Sequence, residues 1–296
     1  MRLFSDHLPF YKANFHCHTT CSDGQASPAE SMELYRKAGY DILAITDHRR
    51  VTLPENVPDG LLMIPGIEMD YLLPDQCIHL IGLGMSSEIG TLWSRSIPPQ
   101  EAIDTVIRLG GAAFLAHPAW SLNTPGCISS LKNLCGVEIW NSVSAVPYNA
   151  DRADSSAILD VTWSSGGQLL PVFANDDVHF YGSDLTVAAT VVQAESLTLT
   201  AVLQALKSGR FYATLGPEIR QIEVTDTAIT VSCSEADTII FYSNLAWVKG
   251  RSRTGHGMTS SVYDIQPGER FVRVEIRDTQ GRKAWSAPIP VNGYKA

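Results

Sequence analysis

The sequence predicts an α/β protein built from parallel βαβ units, as a barrel or a doubly wound sheet, followed by a small antiparallel β-module. Three observations carry this. From about residue 12 to about 214, short apolar strands alternate with helical patterns. The apolar runs end again and again in histidine, aspartate or glutamate, and in parallel α/β folds functional groups gather at the C-terminal ends of strands. Beyond about residue 217, strand-like runs follow one another through Thr/Asp/Gly/Pro turns with no helix between them.

The elements follow in order. After a first strand leading into His16, Ser27-Pro28-Ala29-Glu30 opens a helix, with Ser27 as N-cap, Pro28 at N1 and Glu30 at N3; Gly39 closes it. Ile42–Ile45 and Leu61–Ile67 read as strands, and Cys77 to Gly84 is an apolar run interrupted by His79. Pro98-Pro99-Gln100-Glu101 starts a helix that carries Ile103, Val106, Ile107 and Leu109. Ala112–Ala116 is a strand, then come a short helix and the strand Gly136–Trp140. The stretch 149–165 is expected to be helical, Leu169–Ala174 a strand, Thr186–Val192 a β-rich run and Leu199–Leu206 a helix. In the tail, Ile219–Val224, Ala228–Cys233, Thr238–Tyr242 and Phe271–Ile276 read as strands. The expected division is 1–216 and 217–296.

Alternation along a strand points His16 and His18 to one side and Cys17 to the other. Two same-facing imidazoles suit a divalent metal. Six of the eight histidines (16, 18, 48, 79, 117 and 179) stand at ends of apolar runs, as do Glu68 and Asp177, which histidines scattered for packing would not do. The six cysteines show no Cys-x-x-Cys pair and are expected to be free thiols, several of them buried.

The 296 residues are 45% hydrophobic and 18% charged, with a net charge of −9. That balance fits a soluble globular protein and argues against coating nucleic acid through a general basic surface. No apolar stretch reaches membrane-span length, and residues 1–7 lack a secretory h-region, so a cytoplasmic location is expected.

The residues His16-Cys17-His18, Ser22-Asp23-Gly24, Thr46-Asp47-His48, Gly66-Ile67-Glu68, His79, His117-Pro118 and Asp177-Val178-His179 resemble the motifs of the PHP (polymerase and histidinol phosphatase) superfamily. Val137–Asn141, Ala205–Thr214 and the β-rich tail are more loosely similar to its carbaryl-hydrolase-like branch. The resemblance implies a distorted seven-stranded β/α barrel with two or three divalent ions (Mn, Zn or Fe, with Mg also allowed). It implies that His16, His18, Glu68 and Asp177 hold one ion and that Asp23, His48 and His179 hold a second. Glu68 would bridge to a third ion held with His79 and His117. Asp176 competes with Asp177 as ligand, and the Asp-x-His spacing favours Asp177. Asp47 is expected to orient a ligand histidine.

Three divalent ions bring six positive charges against the carboxylates of Asp23, Glu68 and Asp177, a net +3 that suits an anionic substrate. The expectation is a phosphatase or phosphodiesterase working through a hydroxide held between ions, with His16, His18, Asp23, His48, Glu68, His117, Asp177 and His179 catalytic. Arg49, Arg50, Glu138 and Asn141 are expected at the substrate, with Arg152 and Tyr181 as weaker candidates. The partner would be a small phosphorylated molecule, with a nucleotide allowed and no membrane; a nucleic acid is disfavoured by the absence of an extended basic channel, with exonuclease action left as an open alternative. The alternatives are a carbamate, ester or amide hydrolase using the same site, and a non-catalytic metal-binding regulatory module.

Overall fold

The structure is a computed structural model and describes residues 1–294. It is a mixed α/β fold with parallel and antiparallel strands in one continuous sheet. β1 (Phe10–Asn14), β2 (Ile42–Ile45) and the first part of β3 (Leu62–Leu72) run parallel. α1 (Pro28–Lys37) crosses from β1 to β2 and starts with the expected capping box. Ser27 Oγ accepts from the Glu30 N–H at 3.3 Å, and the Glu30 carboxylate accepts from the Ser27 N–H at 2.8 Å. Two N–H groups that a helix start leaves free are thereby satisfied.

The parallel pattern breaks at β3. The Leu73 N–H donates to the Gln76 carbonyl at 2.9 Å around Pro74 and Asp75. β4 (Cys77–Leu83) therefore returns antiparallel to β3, because a tight turn leaves no room for a crossover. After α2 (Ile89–Leu92) and α3 (Pro99–Arg108), β5 (Ala112–Leu115) lies antiparallel to β4. Then α4 (Pro125–Ser130), β6 (Gly136–Asn141), α5 (Ser156–Ser164) and β7 (Val172–Asn175) restore parallel pairing. β8 (Ala189–Gln193) is antiparallel to β1 and to β9 (Phe211–Thr214), with α6 (Leu199–Lys207) between β8 and β9. The expected purely parallel arrangement is thus corrected.

The distorted seven-stranded barrel implied by the resemblance is not seen as a closed sheet. Among the described residues the backbone ladder stops at β7. β7 meets β8 through the Thr190 hydroxyl, which lies 3.1 Å from both the Ala174 N–H and the Ala174 carbonyl. The β8 ladder starts late because the N–H groups of Thr186, Val187 and Ala188 donate to the Asp176 carboxylate at 2.7, 3.0 and 2.8 Å. Phe173 fills the gap, stacked on Phe114 at 4.3 Å and against Phe211 at 4.4 Å. The expected helix over 149–165 also shortens to α5. Ala150 and Asp151 take φ of +61° and +53°, which cannot continue a right-handed helix.

The tail comprises β10 (Ile219–Val224), β11 (Ala228–Ser243), β12 (Ser252–Asp264), β13 (Phe271–Arg277), β14 (Lys283–Trp285) and β15 (Ile289–Pro290). Two expected strands are one: β11 runs through register shifts between Ser232 and Thr238. β12, mostly exposed and paired with β11 alone among the described strands, lacks the apolar alternation that would reveal it. These strands continue the same sheet through β14, which pairs with β9. The fully buried Arg273 forks onto Asp160 of α5 with two 2.7 Å bonds. Trp285 stacks on Trp140 at 6.1 Å, and Lys283 pairs with Asp154 at 2.6 Å. No helix among the described residues is long and apolar enough to cross a membrane.

Candidate metal centre

The extensions of β1, β2 and β7 lock the histidine-bearing segment. His16 O accepts from the Asp177 N–H at 2.9 Å, the His18 N–H donates to Val178 O at 3.1 Å, and Cys17 O accepts from the Thr46 N–H at 2.8 Å. The alternation holds: both imidazoles face one centre, while Cys17 packs among Met32, Tyr35 and Leu43. Burial pushes that thiol far up. Two glycines make room. A Cβ on Gly24 would sit 2.2 Å from the His18 carbonyl, and one on Gly66 would sit 2.7–2.8 Å from Thr46 and Ile45. Their neighbours Asp23 and Glu68 are thereby brought beside the histidines. His117 and Asp177 take φ of +29° and +53°, strain of a kind that concentrates at functional sites.

Three groups of side chains converge, each compact enough to hold one ion. In the first, His16 Nε2 lies 3.2 Å from Glu68 Oε2 and 3.0 Å from Asp177 Oδ1, and His18 Nε2 lies 2.8 and 3.0 Å from the same oxygens. The second gathers His18, Asp23, His48 and His179; Asp23, half-exposed, stands 3.4 Å from His48 and 3.6 Å from His179. The third joins Glu68 with His79 at 2.7 Å and His117 at 3.5 Å. The structure therefore brings together all nine residues expected as ligands, and it adds His18 to the second group.

A further layer orients the rings. Glu138 Oε1 lies 2.9 Å from His16 Nδ1, and Ser121 Oγ lies 2.9 Å from His117 Nδ1. The Asp177 carbonyl lies 2.7 Å from His179 Nδ1, and Ser22 Oγ 3.4 Å from His18 Nδ1. Each contact leaves Nε2 facing the centre. Glu138 also accepts from Asn175, from Asn141 and from the His117 N–H. Glu138→Gln, which sets an amide among these donors, is expected to weaken metal binding about 10- to 100-fold. Equilibrium dialysis would measure this, and an unchanged affinity would mean that Glu138 does not set the His16 ring.

The donor set fits divalent ions. His16 Nε2, His18 Nε2, His48 Nδ1, Glu68 Oε2 and Asp177 Oδ1 are buried and make no hydrogen bond within the protein. Buried polar atoms are rarely left so without a partner still to come. The electrostatics call for positive charge. Burial alone depresses His18 and His79, but Asp177 and Glu68 outweigh it at His18, holding it at about 9. Glu68 and the neighbouring Cys77 do the same at His79, at about 10. Burial pushes Glu68 and Asp177 up, yet the surrounding imidazoles hold both well below the carboxylate range. Without cations, protons neutralise this centre. Six imidazoles with three carboxylates suit divalent ions rather than a soft-metal thiolate site.

No family model matches the chain. A curated 5'-3' exoribonuclease of Haemophilus influenzae is 31% identical over 77 residues, which cover 24% of this chain and only 28% of the relative's own length. A two-domain protein of Bacteroides vulgatus, described as containing a predicted PHP-like metal-dependent phosphoesterase, is similar over 96% of both chains at 16% identity and a TM-score of 0.57. An amidohydrolase from Chromobacterium violaceum is similar over 58% of this chain and 89% of its own at 14% identity and a TM-score of 0.45. The chain shares the fold of the Bacteroides vulgatus protein.

The other residues expected at the site are placed around this centre as follows. Asp176, the competitor of Asp177, points away from the centre. Its carboxylate takes up Tyr35, Ser142 and the three N–H groups ahead of β8, and burial raises it to about 6. Asp47 orients no histidine directly. It accepts from Thr19 N–H, Thr19 Oγ1, Ser22 Oγ and Thr52 Oγ1, so it fixes the loop bearing Asp23. Glu138 and Asn141, expected at the substrate, are fully buried behind His16 and Asp177. Arg49 is forked onto Asp70 at 2.7 and 3.0 Å, and Arg50 reaches only the Cys21 carbonyl. The Tyr181 hydroxyl donates to the His18 carbonyl at 2.6 Å, and Arg152 is exposed, its backbone N–H donating to the carbonyl of the cleft-wall Ser144 at 2.8 Å.

The centre opens into a cleft of about 210 Å³ whose outer wall is formed by Trp120, Val143, Ser144, Tyr148, Asn149 and Phe180. None of the described lining residues is Lys or Arg. Sequence reasoning missed this wall. Its residues sit in 3-10 turns and loops without periodicity; Trp120 and Phe180 lie close in the chain to His117 and His179, whereas Val143 to Asn149 carry no signal beyond following the strand that ends at Asn141.

Proposed function

We propose that this protein is a metal-dependent phosphoester hydrolase, a phosphatase or phosphodiesterase, acting on a small phosphorylated molecule. The observation that carries the reading is the convergence of five unpartnered buried donor atoms, from His16, His18, His48, Glu68 and Asp177, on one centre, of which His48, Glu68 and Asp177 line the cleft. We assign His16, His18, Glu68 and Asp177 to one ion, Asp23, His48 and His179 to a second, and Glu68, His79 and His117 to a third. Bound divalent ions supply Lewis acidity toward a phosphoryl oxygen and an acidified water at neutral pH.

The chain's own groups do the rest. Glu138, Ser121 and Ser22 hold the imidazoles in register. Ser144 and Asn149 contribute polar groups to the cleft wall. We take residues 1–216 as the hydrolase unit and 217–296 as an accessory β-module. All six cysteines are free, which fits a reducing, cytoplasmic setting. The Haemophilus influenzae relative acts on RNA by its name. The small cleft without a cationic wall favours a single small molecule, a nucleotide included, over a polymer.

Protein loaded with Mn is expected to release phosphate from monoesters or cleave diesters, and His16→Ala or Asp177→Ala is expected to abolish that turnover. Activity confined to aryl carbamates would replace the phosphoester reading with the carbamate one. Metal binding without turnover on any of these substrates would favour a regulatory module.

A further inference from the structure

The cleft has two chemically distinct sides. Its floor is the ionisable cluster, and its mouth carries Tyr148 and Phe180, which meet edge to face at 6.2 Å and 82°. Both are large aromatic side chains left in water, Tyr148 at 80% and Phe180 at 45% exposure. Trp120 stands deeper, edge-on to His117 at 5.0 Å and His79 at 5.7 Å. Outside the cleft the same two residues, with Val146, Gly182 and Ser183, line a second, mostly apolar concavity. Contiguous exposed apolar surface beside a polar centre marks a binding site. The segment bearing Tyr148 is fixed rather than loose: it leaves a 3-10 turn through the left-handed Ala150, and Asn149 Nδ2 anchors it to the Val143 carbonyl at 3.0 Å.

We propose that Tyr148 and Phe180 form a specificity subsite for a planar, uncharged aromatic group attached to the substrate's single anionic centre. This rests on the phosphoester reading above. With no Lys or Arg on the described lining, a second anionic group would find no counter-charge beyond the cluster. A flat ring gains a stacking face and displaces water from two exposed aromatics.

The test uses the full chain loaded with Mn and two non-hydrolysable probes, methylphosphonate and 1-naphthylmethylphosphonate, with binding measured by calorimetry. The naphthyl probe is expected to bind about tenfold tighter or better, equivalent to ~1.4 kcal/mol. In the Tyr148→Ala/Phe180→Ala double variant, that ratio is expected to fall below about threefold, with methylphosphonate affinity and thermal midpoint unchanged. Equal affinity of both probes for the unsubstituted protein, or a ratio that survives the double substitution, overturns the subsite alone. Binding of neither phosphonate removes the phosphoester reading and the subsite with it.

Discussion

Glu68→Ala is expected to cost more activity than any other single substitution in this chain. Glu68 is the one carboxylate shared by two of the three groups, with Oε2 facing His16 and His18 and Oε1 facing His79 and His117. Its loss leaves the first group with two imidazoles and Asp177, and the third with two imidazoles and no carboxylate. Metal content is expected to fall by at least one ion per chain, and kcat/KM by about a thousandfold or more, since a catalytic ion supplies several kcal/mol at the transition state. Asp23→Ala, at the half-exposed mouth, should lose only the ion of the second group. Elemental analysis alongside kinetics separates the two variants. A Glu68→Ala protein with full metal content would break the link between this carboxylate and both groups.

Restoring Mn to chelator-stripped protein is expected to raise the thermal midpoint by about 5–10 °C per ion bound at a hundredfold excess over its Kd. The estimate combines about 2.7 kcal/mol of linkage at that excess with the roughly 2–4 °C per kcal/mol seen in domains of this size class. The sign follows from the structure. Buried Glu68 and Asp177 face nitrogen atoms that make no internal hydrogen bond, so an ion relieves both the charge and the missing contacts. Ions bind the folded arrangement, whose donors come from residues 16 to 179, and not the unfolded chain. Calorimetric scans with and without Mn check this, and an unchanged midpoint would mean that the cluster holds no ion tightly.

Much of the centre was legible because it is written locally. His-x-His fixes two rings on one side of an extended segment, and an apolar run ending in His117 or Asp177 places each at a sheet edge without further information. Helix α1 was equally legible, since its capping box is a matter of four consecutive residues. What escaped depends on contacts distant in sequence. Glu138 reads like a substrate ligand at a strand end, yet Asn175, Asn141 and the His117 N–H surround it from three other segments. The choice of Asp177 over Asp176 agrees with its Asp-x-His spacing, but the task of Asp176, holding the N–H groups of Thr186, Val187 and Ala188, depends on a segment ten residues on. β12 has no apolar face to betray it, and the antiparallel return at β4 hangs on one turn at Pro74-Asp75. The chemistry was readable where it follows from periodicity and obscure where it follows from neighbours.

The stack of Trp285 on Trp140 and the pairing of Lys283 with Asp154 bracket the stretch from Asn141 to Ala153, which carries the outer wall. The C-terminal strands touch none of the nine donors, yet they brace the scaffold on which Tyr148 stands. On the function and subsite proposed above, the donors and one support of the subsite are held by different parts of one chain. A descendant that kept the donors and remodelled only this buttress would inherit the same chemistry and serve other customers.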